Sequence, residues 1–189
     1  MDKKKALIGL FFAFIMVSSV FGFVAYYTSP TASDLVYGEF SFRPITQNGV
    51  QQYITEINNQ DYGFLFFPGD LDYVDVSDET KALLNAPIYT ITYDDASSLA
   101  DFFGDVQYSL EFRLADQKLI ERAVTSENSS LPMRTCVNAT EYQPVIQLQE
   151  ANESSISASN NCILVSAVDA YDLYRQSERL LYVILGVME

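Results

Sequence analysis

Residues 6–27 read Ala-Leu-Ile-Gly-Leu-Phe-Phe-Ala-Phe-Ile-Met-Val-Ser-Ser-Val-Phe-Gly-Phe-Val-Ala-Tyr-Tyr and contain no charged side chain. At 1.5 Å per residue such a run makes a helix about 33 Å long, enough for a hydrocarbon core of roughly 30 Å. Lys3, Lys4 and Lys5 precede it, and no further Lys or Arg occurs before Arg43. Positive charge stays on the cytoplasmic side, so this asymmetry puts the N-terminus inside and the remainder outside. The sequence therefore predicts a single-pass protein of the cell membrane, with residues 6–27 in the lipid bilayer. Residues 1–27 are its cytoplasmic tip and transmembrane anchor, residues 28–34 a linker, and residues 35–189 an extracytoplasmic domain.

Two other readings fit the same run less well. A cleaved signal peptide has a shorter apolar core, roughly 7–15 residues, ending at a small-x-small site. Cleavage after Ser19 or Ala25 would leave Val17 or Phe23 at the −3 position. A type IV pilin-like leader would use the Lys5-Ala6 junction. Such subunits generally carry Glu at the fifth residue after processing, and Phe11 stands there.

The formal net charge is −14, which repels nucleic acid and anionic lipid and argues against a polynucleotide partner. The chain has no His. That removes the Ser-His-Asp and Cys-His nucleophile pairs and every His-ligated metal. No Gly-rich phosphate loop, Rossmann fingerprint or nucleophile elbow occurs, and no cofactor is implied. The acidic run Asp70, Asp72, Asp75, Asp78 and Glu79 lacks the glycine and closing glutamate of an EF-hand, so no metal site is assigned.

Cys136 and Cys162 are the only cysteines. Outside the cytosol an isolated pair most simply forms a disulfide, the alternatives being two buried free thiols or a metal site short of a tetrahedral ligand set. Asn128, Asn138 and Asn152 each begin an Asn-x-Ser/Thr sequon and are candidate N-glycosylation sites.

Along the domain, Val36, Phe40 and Phe42 mark a first strand, and Asn48-Gly49 a turn. Residues 53–57 and 62–67 predict a hairpin with a four-residue loop. Ser77 caps a short helix from Asp78. Residues 88–93 read as a strand, and Leu99, Phe102, Phe103, Val106, Leu110 and Leu114 recur at helical spacing. Residues 119–125 follow as a strand, and strand, helix, strand suggests a βαβ-type unit or a helix packed across one sheet. Short strands are expected at 133–137, 145–149, 155–158 and 162–167. A final helix over 169–187 shows Leu173, Ser177, Leu180, Leu181 and Ile184 on one stripe, with Asp172, Arg175, Glu178 and Arg179 toward the other side. The fold class is α+β: a mostly antiparallel sheet domain with a central helix and a C-terminal amphipathic helix.

Cys136-Val137-Asn138-Ala139-Thr140, Asn161-Cys162-Ile163-Leu164, the apolar end Leu180-Leu181-Tyr182-Val183-Ile184-Leu185-Gly186-Val187, and Phe66-Phe67-Pro68-Gly69 give the chain a likeness. It resembles a group of uncharacterised single-span archaeal membrane-anchored proteins with paired C-x-N-A-T and N-C-I motifs. The resemblance implies an N-terminal anchor and an extracytoplasmic α+β domain, and it implies no activity.

Function at this level is a non-enzymatic, membrane-anchored interaction or structural module with an unidentified protein partner. Its alternatives are a pilin-like surface subunit or a carboxylate-based hydrolase using Asp94 with Asp95 or Asp72 with Asp75. Adjacent aspartates on an extended strand face opposite ways, and Lys81 and Lys118, read as solvent-exposed, would stay charged and be poor bases. No catalytic residue is therefore assigned.

Overall fold

The structure, a computed structural model, describes Met16, residues 34–127 and residues 129–189. Two sheets carry the fold. The first is an antiparallel meander in the order β1-β2-β3-β4, formed by β1 (Leu35–Tyr37), β2 (Phe40–Gln47), β3 (Val50–Ile57) and β4 (Gln60–Phe64). Its tight turns are made by residues that tolerate a left-handed backbone. Asn48 and Gly49 have φ of 53° and 80°, and Asn58 and Asn59 have 54° and 64°. Both pairs give the two-residue turn whose twist matches that of the flanking strands. The second hairpin thus closes on two residues rather than four, because Asn59 takes the second positive φ and frees Gln60 to pair with Ile57.

A short helix α1 (Asp78–Leu84) follows, with the Ser77 side chain accepting from Thr80 N–H as a cap. The second sheet has the order β6-β5-β7-β9-β8, built from β5 (Ile88–Tyr93), β6 (Leu119–Arg122), β7 (Val145–Glu150), β8 (Ser155–Ser159) and β9 (Cys162–Ala167). Pairings β6-β5, β5-β7 and β7-β9 are parallel, and only β8 runs antiparallel, at the edge. The expected mostly antiparallel sheet is thus corrected to an antiparallel meander beside a mainly parallel sheet. Helix α2 (Ala100–Leu114) connects β5 to β6, and α3 (Ala170–Ile184) follows β9. Residues 133–137 do not form a strand. Met133 makes a single bridge to Val124, and Cys136–Asn138 is a 3-10 turn.

Side chains alternate cleanly across the parallel sheet. Tyr89, Ile91, Ile146, Leu148, Ile163 and Val165 belong to the core shared with α2 and α3. The opposite face is mixed, carrying Thr90, Thr92, Gln147, Gln149 and Ser166 beside Val145, Cys162 and Leu164. Over β5 and β6 it is covered by the connection from β6 to β7, not by a helix. Thr92 Oγ1 donates to the Arg134 carbonyl at 2.8 Å, and Gln143 Nε2 donates to Thr90 Oγ1 and Glu121 Oε2, both at 2.9 Å. Arg134 pairs with Glu121 at 3.1 Å. The Cys136–Cys162 disulfide ties this connection to the first residue of β9, with Cα atoms 5.3 Å apart.

Helix α3 is enclosed along nearly its whole second half. Leu173, Gln176, Ser177, Glu178, Arg179, Leu180, Leu181 and Tyr182 are all buried. Glu178 and Arg179, placed by sequence toward the polar side, are therefore corrected to buried residues. The helix ends at Gly186, whose φ is 74°. Val187 N–H donates to the Tyr182 carbonyl and Gly186 N–H to the Val183 carbonyl, the paired bonds of a left-handed C-cap. That turn folds Leu185, Val187 and Met188 back into the core.

Three elements meet at Glu178. Its carboxylate accepts from Leu65 N–H at 2.8 Å and Phe66 N–H at 2.9 Å, and it lies 3.6 Å from Arg113 of α2. The Arg113 guanidinium also sits 4.5 Å above the Phe64 ring and donates to the Gly63 carbonyl. Tyr182 stacks on Phe64 with centroids 4.1 Å apart.

The expected transmembrane helix over residues 6–27 lies, Met16 apart, outside the described residues. Among the described residues no helix is long and apolar enough to cross a membrane. The single-pass anchor, the lipid-bilayer partner and the cell-membrane location expected from sequence are accordingly withdrawn.

Two stability outcomes follow from these contacts. Cys136→Ser and Cys162→Ser should each cost about 3 kcal/mol in chemical denaturation, and the double variant should be no worse than either. Glu178→Ala should cost about 3 kcal/mol by leaving the partly buried Arg113 and the N–H groups of Leu65 and Phe66 without their carboxylate, and adding Arg113→Ala should cost far less than a second such loss.

Candidate functional site

Ligands of parallel α/β sheets gather beyond the carboxyl ends of the strands, where the strand order changes direction. Here that point lies between β5 and β7, since β5 leads out to β6 on one side and the chain returns to β7 on the other. A cleft of about 650 Å³ lies there, lined by Asp94, Ser97, Gln147, Gln149 and Glu150 among others, and the chain's own groups bond the carboxylates around it. Glu150, ending β7, accepts from Ser97 Oγ at 2.8 Å and Ser98 Oγ at 2.9 Å. Asp95 accepts from Ser126 Oγ at 2.9 Å, and Asp94 accepts from Ala96 N–H at 2.9 Å. Asp94 and Asp95 thus hold turns rather than facing one substrate.

The other sequence candidates are similarly engaged. Asp72 accepts from Tyr37 Oη at 2.7 Å. Lys81 pairs with Asp78 at 3.4 Å. Lys118 is not the free surface lysine expected. Its Nζ donates to the carbonyls of Leu84, Asn85 and Ala86 at 3.2, 3.3 and 2.8 Å, closing the end of α1, and lies 5.3 Å from the Tyr89 ring centroid. Burial pushes its pKa down from the ordinary lysine value. Asp75 is exposed and lines a separate cleft with Tyr73, Asp172 and Arg175. No group of three His, Cys, Asp or Glu that could hold a metal occurs among the described residues. Asn138 and Asn152 are exposed, and Asn138 Oδ1 accepts from Thr135 N–H at 2.9 Å. Asn128 lies outside the described residues.

What the sequence reading missed is on the outer face of α2. Phe102 belongs to the expected core stripe, yet it is exposed and meets the Tyr174 ring edge-on at 6.4 Å. Tyr108 and Phe112 are 59% and 71% exposed, and their rings lie parallel, 18° apart in plane, with centroids at 6.3 Å. Asp101, Asp105 and Asp116 are exposed on the same helix and just beyond it. The i, i+4 spacing of Tyr108 and Phe112 was the available signal.

Between the C-terminal half of α2 and edge strand β4 runs a groove of about 610 Å³, lined by Asp61, Tyr62, Tyr108, Phe112, Arg113 and Asp116 among others. Its volume falls in the ordinary range for ligand sites. Tyr62 Oη is held at the wall, donating to Gln60 Oε1 at 3.0 Å and accepting from Gln117 Nε2 at 3.1 Å. Beneath it, burial raises the Glu178 carboxyl above the usual glutamate value against the opposing pull of Arg113.

No family model, curated protein or solved structure matches this chain. The likeness to single-span archaeal proteins drawn from its cysteine motifs is therefore withdrawn.

The two serine hydroxyls hold the Glu150 carboxyl below its ordinary value. A depressed carboxyl gives stability that is present above the unfolded value and lost as pH falls through the folded one. Carboxyl NMR titration should find Glu150 below the usual glutamate range, and Ser97→Ala with Ser98→Ala should return it there.

Proposed function

We propose that residues 35–189 form a non-enzymatic recognition domain whose working surface is the outer face of α2, and whose partner is a protein carrying positive charge at the contact. The observation that carries this reading is the exposed, stacked Tyr108–Phe112 pair on a chain whose other large aromatics are mostly packed. Single exposed apolar residues need no explanation, but a contiguous aromatic patch rimmed by polar groups marks an interaction surface. Aromatic side chains are also the usual anchors of protein interfaces, because they bury much area for little lost side-chain freedom.

Charge supplies the partner's chemistry. The net charge is −14, and Asp101, Asp105 and Asp116 flank the aromatic pair. A complementary partner gains association rate and orientation from that field, and the gain shrinks with added salt. At the parallel sheet's carboxyl edge, by contrast, Glu150 and Asp95 already accept from Ser97, Ser98 and Ser126.

A photo-crosslinking phenylalanine analogue placed at 112 in the full chain, in its native cells, should capture a discrete protein with a basic contact surface. The same analogue at Val50, exposed in the meander, should not. Tyr108→Ala should weaken the recovered complex about tenfold or more, as expected of an anchor residue. Equal capture at both positions, or none at 112, would falsify the reading.

A further inference from the structure

We infer that the groove between β4 and α2 is a subsite for an arginine side chain of the partner. This rests on the recognition role just proposed for α2, and narrows it to one residue type at one place.

Strand β4 is an edge of its sheet, which ordinarily invites a partner strand. Here the continuation of that edge is already used. The Gly63 carbonyl accepts from Arg113, and the N–H groups of Leu65 and Phe66 go to Glu178. The Gly63 carbonyl is thereby taken within the groove and the Leu65 and Phe66 N–H groups just past the strand, which shortens the edge open to a partner strand and leaves the side chains as the larger part of the surface.

The side chains present are aromatic faces and carboxylates. Tyr108 and Phe112 offer parallel rings, Tyr62 forms the opposite wall, and Asp61 and Asp116 lie at the rim. None of the ion pairs among the described residues includes Asp61 or Asp116. The one cation in the lining, Arg113, is neutralised by Glu178 at 3.6 Å and faces Phe64. The groove therefore presents ring faces and negative charge without a counter-ion of its own.

A guanidinium matches that set. It is planar, so it stacks on a ring while its N–H edge reaches a carboxylate, and it sheds water more readily than an ammonium. A lysine could satisfy the carboxylates but would not stack. The protein makes the same kind of contact internally, where Arg175 lies 4.0 Å from the Tyr171 ring and 3.4 Å from Asp172.

N-acetylarginine amide added to the full-length, isotopically labelled protein provides the test, read by amide NMR shifts. Saturating shifts should be confined to residues 60–63 and 108–116. N-acetyllysine amide should give a severalfold weaker response, and the neutral isostere N-acetylcitrulline amide none. Asp61→Asn with Asp116→Asn, both at exposed positions, should weaken arginine binding about fivefold without shifting the melting temperature. Equal response to citrulline, shifts elsewhere, or no shifts at all would overturn the subsite. Were that to happen while the analogue at 112 still captured its partner, only the arginine assignment would be lost.

Discussion

The contact between buried Glu178 and half-buried Arg113 holds the architecture together, because it is where three pieces of the chain meet. A carboxylate in the interior needs partners for most of its lone pairs, and Glu178 finds them in a cation and two backbone N–H groups. Those N–H groups belong to the segment leaving β4, the cation to α2, and the carboxylate to α3. Phe64 is then held between the Arg113 guanidinium and the Tyr182 ring. The pair adds little net energy over an apolar replacement of the same shape, but breaking one half leaves a bare charge inside. Its value is geometric. It fixes which edge of the meander abuts which helices, and so sets the shape of the groove beside it.

The turns and caps were legible because their residues act locally. Asn48-Gly49 names its own turn, Ser77 caps the helix that follows it, and Cys136 and Cys162 had only each other. Strand direction was legible only over residues 88–125, where strand, helix, strand suggests the βαβ-type unit that β5, α2 and β6 form; elsewhere it was not. A short β-branched run such as β5 or β9 looks the same whether its neighbour is parallel or antiparallel, and nothing within six residues reveals the partner. The connection from β6 to β7 also lacks a helix, the usual signature of a parallel crossover. Polar contacts to Thr90, Thr92 and Glu121 replace the helix, and they are invisible until the chain is folded.

The candidate surface was illegible for a related reason. Amphipathic reading sends charges out and aromatics in. Helix α3 violates the first half, since its neighbours cover both sides and bury Glu178 and Arg179. Helix α2 violates the second, with Phe102, Tyr108 and Phe112 outward and Gln107 buried, donating to the carbonyls of Ile91 and Ala123 at 2.7 and 2.9 Å. Both departures sit where elements from distant parts of the chain converge, and a pattern confined to one helix carries no record of that convergence. Of these departures Tyr108 and Phe112 line the groove, as expected where a surface is shaped for something other than packing.

The stacking of Tyr182 on Phe64 joins the last helix to the first sheet. A chain emerging from the ribosome at roughly 5–20 residues per second completes the meander about ten seconds before Tyr182 exists. During that interval Phe42 and Phe64 have no lid, and the carboxylate that will take the N–H groups of Leu65 and Phe66 is not yet made. The meander must wait, aromatic and incompletely bonded, until α3 is made. The contacts that complete the meander's core thus join distant parts of the chain, and contacts of that kind are slow to form and leave apolar surface exposed meanwhile.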